Sequence, residues 1–229
     1  MTTLRVEPVL EVLGGTEIEL WPVVGRDGFW YLALHGDLTE REVGTAVHQI
    51  LRWFYTDDEG DPASTVEEYL ARALAPYDAD DARPLAMGGM QFTDTVTGST
   101  ILPGCCYSID ERSELVDVLG GRTATCWFGH DPDAVLTVRD GLVEIVQDAQ
   151  DLSRPVLRFP LDQVRVALAR AEEDLDRFCD LVTTWAAEHT PAHADALPAG
   201  VARALSAGSH RSTDDAKAWT DTSADRSGS

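Results

Sequence analysis

The residues best suited to chemistry in this chain surround a pair of adjacent cysteines. Four side chains near that pair add up to the ligand count of a structural zinc site: Cys105, Cys106, Cys126 and His130. Adjacent side chains on extended backbone point apart. The two neighbouring cysteines therefore converge only through a tight turn, which Pro103-Gly104 could help to form. Our main prediction is that the protein has no cofactor, and the alternative is a zinc ion bound by these four side chains.

The same residues allow a thiol reaction. Cys106 lies two residues before Ser108, a predicted helix N-cap, and a helix N-terminus lowers a thiol pKa. His130 is a candidate general base, and Asp131 could orient its ring. Two further interpretations remain open. The two cysteines could form a reversible vicinal disulfide, or they could serve only in packing, since buried cysteines pack as small hydrophobic side chains.

These motifs resemble a group of uncharacterised bacterial proteins that share a Pro-Gly-Cys-Cys and Gly-His-Asp-Pro pattern. The resemblance covers roughly residues 87–148 and implies no particular activity. It does imply that the matching positions form one constellation: Gly104, Cys105, Cys106, Gly129, His130, Asp131 and Pro132.

Charge excludes some partners. The formal net charge is −22, and residues 190–229 hold five acidic and four basic residues, which leaves −21 on residues 1–189. Such a field repels nucleic acid and anionic membranes, because phosphate binding needs clustered Lys and Arg. We expect no secretory leader, because residues 1–15 lack a basic start followed by a long apolar run, and no stretch reaches the roughly 18 consecutive apolar residues needed to cross a bilayer. We therefore expect a cytoplasmic protein with reduced thiols.

The acidic residues are densest between positions 57 and 81. Six of them form the predicted binding surface: Asp57, Asp58, Glu59, Asp61, Glu67 and Glu68. This acidic run is either a solvated face that aids solubility or a docking patch for a basic partner, and the sequence leaves both interpretations open.

Turn and capping signals place the elements around these residues. Residues 16–24 and 28–36 are expected to form a hairpin in which Trp21 is exposed. Further hairpins are expected around Thr97-Gly98 and Asp140-Gly141. Capping boxes indicate helix starts at Thr39/Glu42, Ser64/Glu67 and Ser108/Glu111. His48 is expected at a surface or boundary position.

The last regular element is predicted to run from about Pro160 to His189. Its apolar residues recur at steps of three and four, as in a coiled-coil seam. The seam either packs on its own domain or forms a homodimer through residues 161–185. From residue 190 onward the composition predicts a flexible, mostly disordered tail.

We therefore expect a single α+β domain over residues 1–189, with antiparallel hairpins packed against several helices, and a tail over 190–229. The favoured function is an acidic binding protein without catalytic activity, one that neutralises or docks a basic partner such as a toxin nuclease domain. One alternative is a thiol- or zinc-dependent module centred on Cys106 and His130. Another is a structural subunit that dimerises through the long helix.

Overall fold

Helices and antiparallel sheets alternate along the chain in a computed structural model that describes residues 3–14, 20–52, 63–74, 85–151 and 153–206. The strands are β1 (Leu4–Leu13), β2 (Phe29–Ala33), β3 (Gly88–Asp94), β4 (Thr100–Ile101), β5 (Thr125–Trp127), β6 (Val135–Arg139), β7 (Leu142–Val146) and β8 (Val156–Pro160). The helices are α1 (Glu40–Leu51), α2 (Val66–Ala73), α3 (Ser113–Leu119), α4 (Leu161–His189) and α5 (Ala196–Ala204). The predicted α+β class with a long helix near the C-terminus is confirmed.

The strands form two four-stranded antiparallel sheets. The first has the order β2-β1-β3-β4 and the second has the order β5-β6-β7-β8. The long strand β1 is central in the first sheet, where Leu10 pairs with Leu32 and Val6 pairs with Phe92. Helix α4 packs on β1, and α3 packs on β5 and β6. The buried side chains of both sheets and of the helices belong to one hydrophobic core.

The second sheet is built around the predicted hairpin. Asp140 and Gly141 connect β6 to β7 with φ values of 52° and 74°. Two successive positive φ values define the tight turn that matches the twist of antiparallel strands. The hairpin around Thr97-Gly98 is confirmed as well, since β3 pairs with β4.

The first predicted hairpin is wrong. Strand β2 pairs with β1, and residues 20–24 form no strand; residues 15–19 lie outside the described residues. Trp21 is only 6% exposed, and its indole N–H donates to the carbonyl of Gly44 at 2.9 Å. Alternating side chains in 16–24 matched a strand pattern, but the tertiary contact with α1 takes Trp21 into the core.

Helix α1 begins at the predicted capping box, where the Thr39 N–H donates to the Glu42 carboxylate at 2.8 Å. The expectation for His48 on this helix is wrong, because His48 is 6% exposed and lies against Trp21 and Tyr69. A ring that carries a polar atom can still be buried when neighbouring aromatic side chains enclose it.

The apolar seam of α4 is buried within the protein. Leu168, Leu175 and Val182 are each at most 2% exposed, and the helix packs against β1, α1 and α5. The opposite face is exposed and largely polar, but it includes Val166, which is 47% exposed. A homodimer through residues 161–185 stays a prediction, and it would have to use side chains outside this seam.

The predicted flexible tail is wrong for residues 190–206. A 3₁₀ turn (Pro191–His193) and helix α5 follow α4, and Leu197 and Val201 of α5 are fully buried. The Arg112 guanidinium donates to the carbonyl of Leu205 at 2.5 Å. The Ala-rich composition suggested disorder, but Leu197, Val201 and Leu205 recur every four residues and supply a buried face. Residues 207–229 lie outside the described residues.

Candidate metal centre

Two loops meet where the sequence predicted one constellation. Cys105 forms an isolated antiparallel bridge with His130, in which the Cys105 N–H donates to the His130 carbonyl at 2.6 Å and the His130 N–H donates back at 3.1 Å. The Gly104 N–H donates to the Phe128 carbonyl at 3.0 Å. The expected convergence of the cysteine loop and the histidine loop is confirmed.

Two glycines allow this close approach. A Cβ on Gly104 would lie 2.4 Å from the Pro132 carbonyl oxygen and 2.5 Å from the Gly129 carbonyl carbon. Gly129 has a φ of 112°, a conformation that residues with a side chain rarely adopt. The backbones are therefore in direct contact, and any side chain at either position would push the loops apart.

Both loops are anchored in the core. Phe128 is buried against the rings of Phe92 and Tyr107. The Gln147 side-chain amide accepts from the Leu102 N–H at 2.8 Å and donates to the Leu102 carbonyl at 3.0 Å. These contacts connect the two sheets, and they fix the chain just before the cysteines.

Three side chains present ligand atoms to one point. The Sγ atoms of Cys105 and Cys106 and a ring nitrogen of His130 all lie within 4.8 Å of one another. The two Sγ atoms are 3.3 Å apart. Adjacent cysteines can converge here because Cys106 has a φ of 61°, which supplies the tight turn that extended backbone lacks. A group able to hold a metal ion is therefore present.

Cys126 is not a member of this group, so the predicted four-ligand set is wrong. Cys126 is 3% exposed, and its Sγ lies 3.8 Å from the Glu114 carboxylate. Side chains alternate along β5, so Cys126 faces the core while Thr125 and Trp127 face outward. The turn at Gly129 then separates its direction from that of His130.

The cysteine pair is exposed to solvent, and its surroundings are acidic. The pKa of the Cys105 thiol is raised, first by its hydrogen bond with Cys106, then by desolvation and by the negative charges of Cys106 and Glu11. Desolvation also raises the pKa of Glu11, and desolvation together with Glu11 and Cys105 raises that of Tyr31 to about 12. The Glu11 carboxylate would attract a bound cation, whereas the raised pKa of Cys105 opposes the thiolate that a metal ligand requires.

Glu11 and Tyr31 were missed by sequence reasoning. They face each other across β1 and β2, and the Tyr31 hydroxyl donates to the Pro103 carbonyl at 3.0 Å. Only the pairing of strands distant in sequence brings them beside the cysteines, so no local pattern marks them.

Asp131 lies beside the histidine, as predicted. One carboxylate oxygen is 3.5 Å from His130 Nδ1, and the Asp131 side chain is 96% exposed while that of His130 is 44% exposed. The Trp127 ring also lies beside His130, with 6.1 Å between the two ring centroids. Cys106, His130 and Asp131 are thus neighbours, although solvent weakens any control by Asp131 over the ring.

The predicted acidic binding surface is described only in part. Asp57, Asp58, Glu59 and Asp61 lie outside the described residues, whereas Glu67 and Glu68 are in α2. Here the predicted cap shifts by one residue, since Thr65 accepts from the Glu68 N–H and the Ser64 N–H donates to the Glu68 carboxylate at 3.1 Å. Glu68 also pairs with Arg72, while Glu67 is exposed.

Comparisons with known proteins add no assignment: no family model, no curated protein and no solved structure matches this chain. Within the described ranges, no helix combines the length and the apolar character needed to cross a membrane.

Proposed function

We propose that this protein binds a zinc ion through the Sγ atoms of Cys105 and Cys106 and a ring nitrogen of His130. The supporting observation is the convergence of three ligand atoms within 4.8 Å on two loops that hydrogen-bond to each other. The ligand types support the metal, because thiolate and imidazole suit zinc and copper(I) better than the oxygen-seeking ions magnesium and calcium.

The distances require only small adjustments. Zinc–sulfur bonds of about 2.3 Å at a tetrahedral angle place two sulfur atoms about 3.8 Å apart. The two Sγ atoms are 3.3 Å apart, so binding would open the pair by about 0.5 Å. Exposed side chains can make that change by rotation about their Cα–Cβ bonds, without moving the hydrogen-bonded backbone.

The ligand count defines the kind of site. Closed structural zinc sites have four protein ligands, while three protein ligands leave a position for water or another donor. The exposure of both sulfurs makes this position accessible. We therefore propose an exchangeable zinc site in a reducing compartment such as the cytoplasm, where the thiols stay available.

The test is zinc binding by full-length, reduced protein in competition with a chromophoric chelator. We expect one ion per chain, with cobalt(II) giving the thiolate charge-transfer absorption as an independent signature. Cys105→Ser, Cys106→Ser and His130→Gln should each weaken affinity by at least about tenfold, a loss that even an outer partner of a ligand can cause. Cys126→Ala is the matched control and should bind normally. If the three ligand variants bound zinc as tightly as the Cys126→Ala control, the proposal would be overturned.

Docking of a basic partner is a second, separate proposal, and it is based on charge. It is supported by the −21 on residues 1–189 and by the exposure of Glu67. Electrostatic steering predicts that association with a basic protein slows as salt rises past about 0.15 M, where the screening length is about 8 Å. A salt-independent association rate would leave the acidic run as a solvated face.

A further inference from the structure

We propose that Cys105 and Cys106 are also a redox modification site, at which a hydroperoxide forms a vicinal disulfide and thereby releases the bound zinc. The release step rests on the proposed function, whereas the oxidation step stands on the cysteine geometry alone.

The two sulfurs are already in contact. Their Sγ atoms are 3.3 Å apart, and a disulfide bond is about 2.05 Å long, so closure needs a movement of about 1.3 Å. The left-handed backbone of Cys106, with a φ of 61°, holds both side chains on one side of the turn.

Adjacency also favours reversal. Consecutive Cα atoms across a trans peptide are about 3.8 Å apart, which is shorter than the roughly 4.4–6.8 Å found in ordinary disulfides. A bond closed under that constraint is strained, and strained, exposed disulfides are the easily reduced ones. We therefore expect a small dithiol to restore the pair.

The other cysteines are poor competitors for the oxidant. Cys126 is buried, and burial is the main cause that raises its pKa to about 12. Cys179 is half-buried, and burial raises its pKa to about 11. The pKa of Cys105 is raised as well, so it is the exposure of Cys105 and Cys106 to the oxidant, and not a larger thiolate fraction, that makes the pair the favoured site.

The chemistry balances with a hydroperoxide as the two-electron oxidant. One thiolate attacks the outer peroxide oxygen, the O–O bond breaks, and a sulfenic acid forms as water or an alcohol leaves. The second thiolate attacks that sulfur, the S–S bond forms, and hydroxide leaves and takes up a proton. Two thiols and hydrogen peroxide thus give one disulfide and two waters. The metal then keeps only His130 as a ligand and dissociates.

The experiment treats full-length protein, zinc-free and zinc-loaded in parallel, with one equivalent of hydrogen peroxide. Intact mass should fall by two hydrogens, and peptide mapping should place the link within a single peptide that holds Cys105 and Cys106. A chromophoric chelator should detect zinc release in step with thiol loss, and dithiothreitol should reverse both changes. Cys106→Ser should form no such link, while a Cys126→Ala/Cys179→Ala variant should behave like the wild type.

The two arms separate the proposals. A disulfide in the zinc-free arm, from a protein that fails the zinc titration, would support the modification site and reject the metal function. Zinc binding followed by sulfinic acid, disulfide-linked dimers or equal oxidation of Cys126 would overturn this inference and leave the metal function standing. Zinc retained after the disulfide has formed would overturn the release step.

Discussion

Lowering the pH should destabilise the wild-type protein more than a His48→Gln variant. The His48 ring lies among Trp21 and Tyr69, and its Nδ1 is 3.3 Å from the Tyr69 hydroxyl. Its Nε2 is buried and has no hydrogen-bonding partner in the described part of the chain. Desolvation, with a smaller contribution from Arg52, lowers the pKa of His48 to about 4.

The sign and size follow from proton linkage. An unfolded histidine has a pKa of about 6.5, so the unfolded chain binds a proton at pH values where native His48 stays neutral. The free energy of unfolding therefore falls as the pH drops from about 6.5 towards about 4. For these two pKa values, the loss between about pH 7.5 and about pH 5.0 is about 2 kcal/mol.

The assay is urea unfolding at several pH values within that range, above the isoelectric point of about 4.4. The readout is the difference in pH dependence between wild type and His48→Gln, so a constant cost of the substitution cancels. His193→Gln is the control, because it removes a histidine that lies outside the core. Parallel pH curves for wild type and His48→Gln would refute the reasoning.

Three substitutions test the packing and the site. Leu175→Ala should lower the free energy of unfolding by about 2–5 kcal/mol in a denaturant titration, because Leu175 is 1% exposed; a loss under about 1 kcal/mol would contradict a packed seam. Arg112→Met should lower the free energy of unfolding by about 3 kcal/mol, because it leaves the carboxylate of Glu172 without its buried partner. Arg122→Met breaks an exposed pair with Asp117 and should lower it by less than about 1 kcal/mol. Gly129→Ala should weaken zinc binding by at least about tenfold, judged by chelator competition against Gly98→Ala. Gly98 also has a positive φ but has open space around it, so equal zinc affinities would show that the loop contact does not matter.

Local patterns predicted the parts of the fold that local interactions determine. The Asp140-Gly141 turn carries its own conformational preference, and the seam of α4 repeats over the whole helix, so both could be recognised without knowing the partner surface. The failures are tertiary. Trp21 and His48 are buried because they meet each other between elements far apart in sequence. The pairing of β1 with β3, residues 4–10 with 88–94, leaves no mark in either segment.

The candidate site follows the same division. Residue types and a resemblance to a shared motif predicted Cys105, Cys106 and His130, and the structure brings them together. Cys126 was wrongly predicted to be a zinc ligand because it is close to His130 in sequence, whereas the alternation of side chains along β5 turns it towards the core. Glu11 could not be predicted, since it approaches Cys105 only through the first sheet. The turn at Cys106 was recognised as a requirement, but its positive φ could not be deduced from the residue type.

The two proposed reactions depend on the fold to different degrees. Cys105 and Cys106 are neighbours in the chain, so a disulfide between them needs only a local turn. Zinc also needs His130, which reaches the sulfurs because Gly104 and Gly129 let a loop that follows the first sheet touch a loop of the second. Any change that separates these loops should therefore remove zinc binding and leave the cysteine pair oxidisable. The Gly129→Ala variant separates the loops without altering a ligand. Of the variants above that keep both cysteines and His130, only this one should lose zinc affinity while it still forms the disulfide.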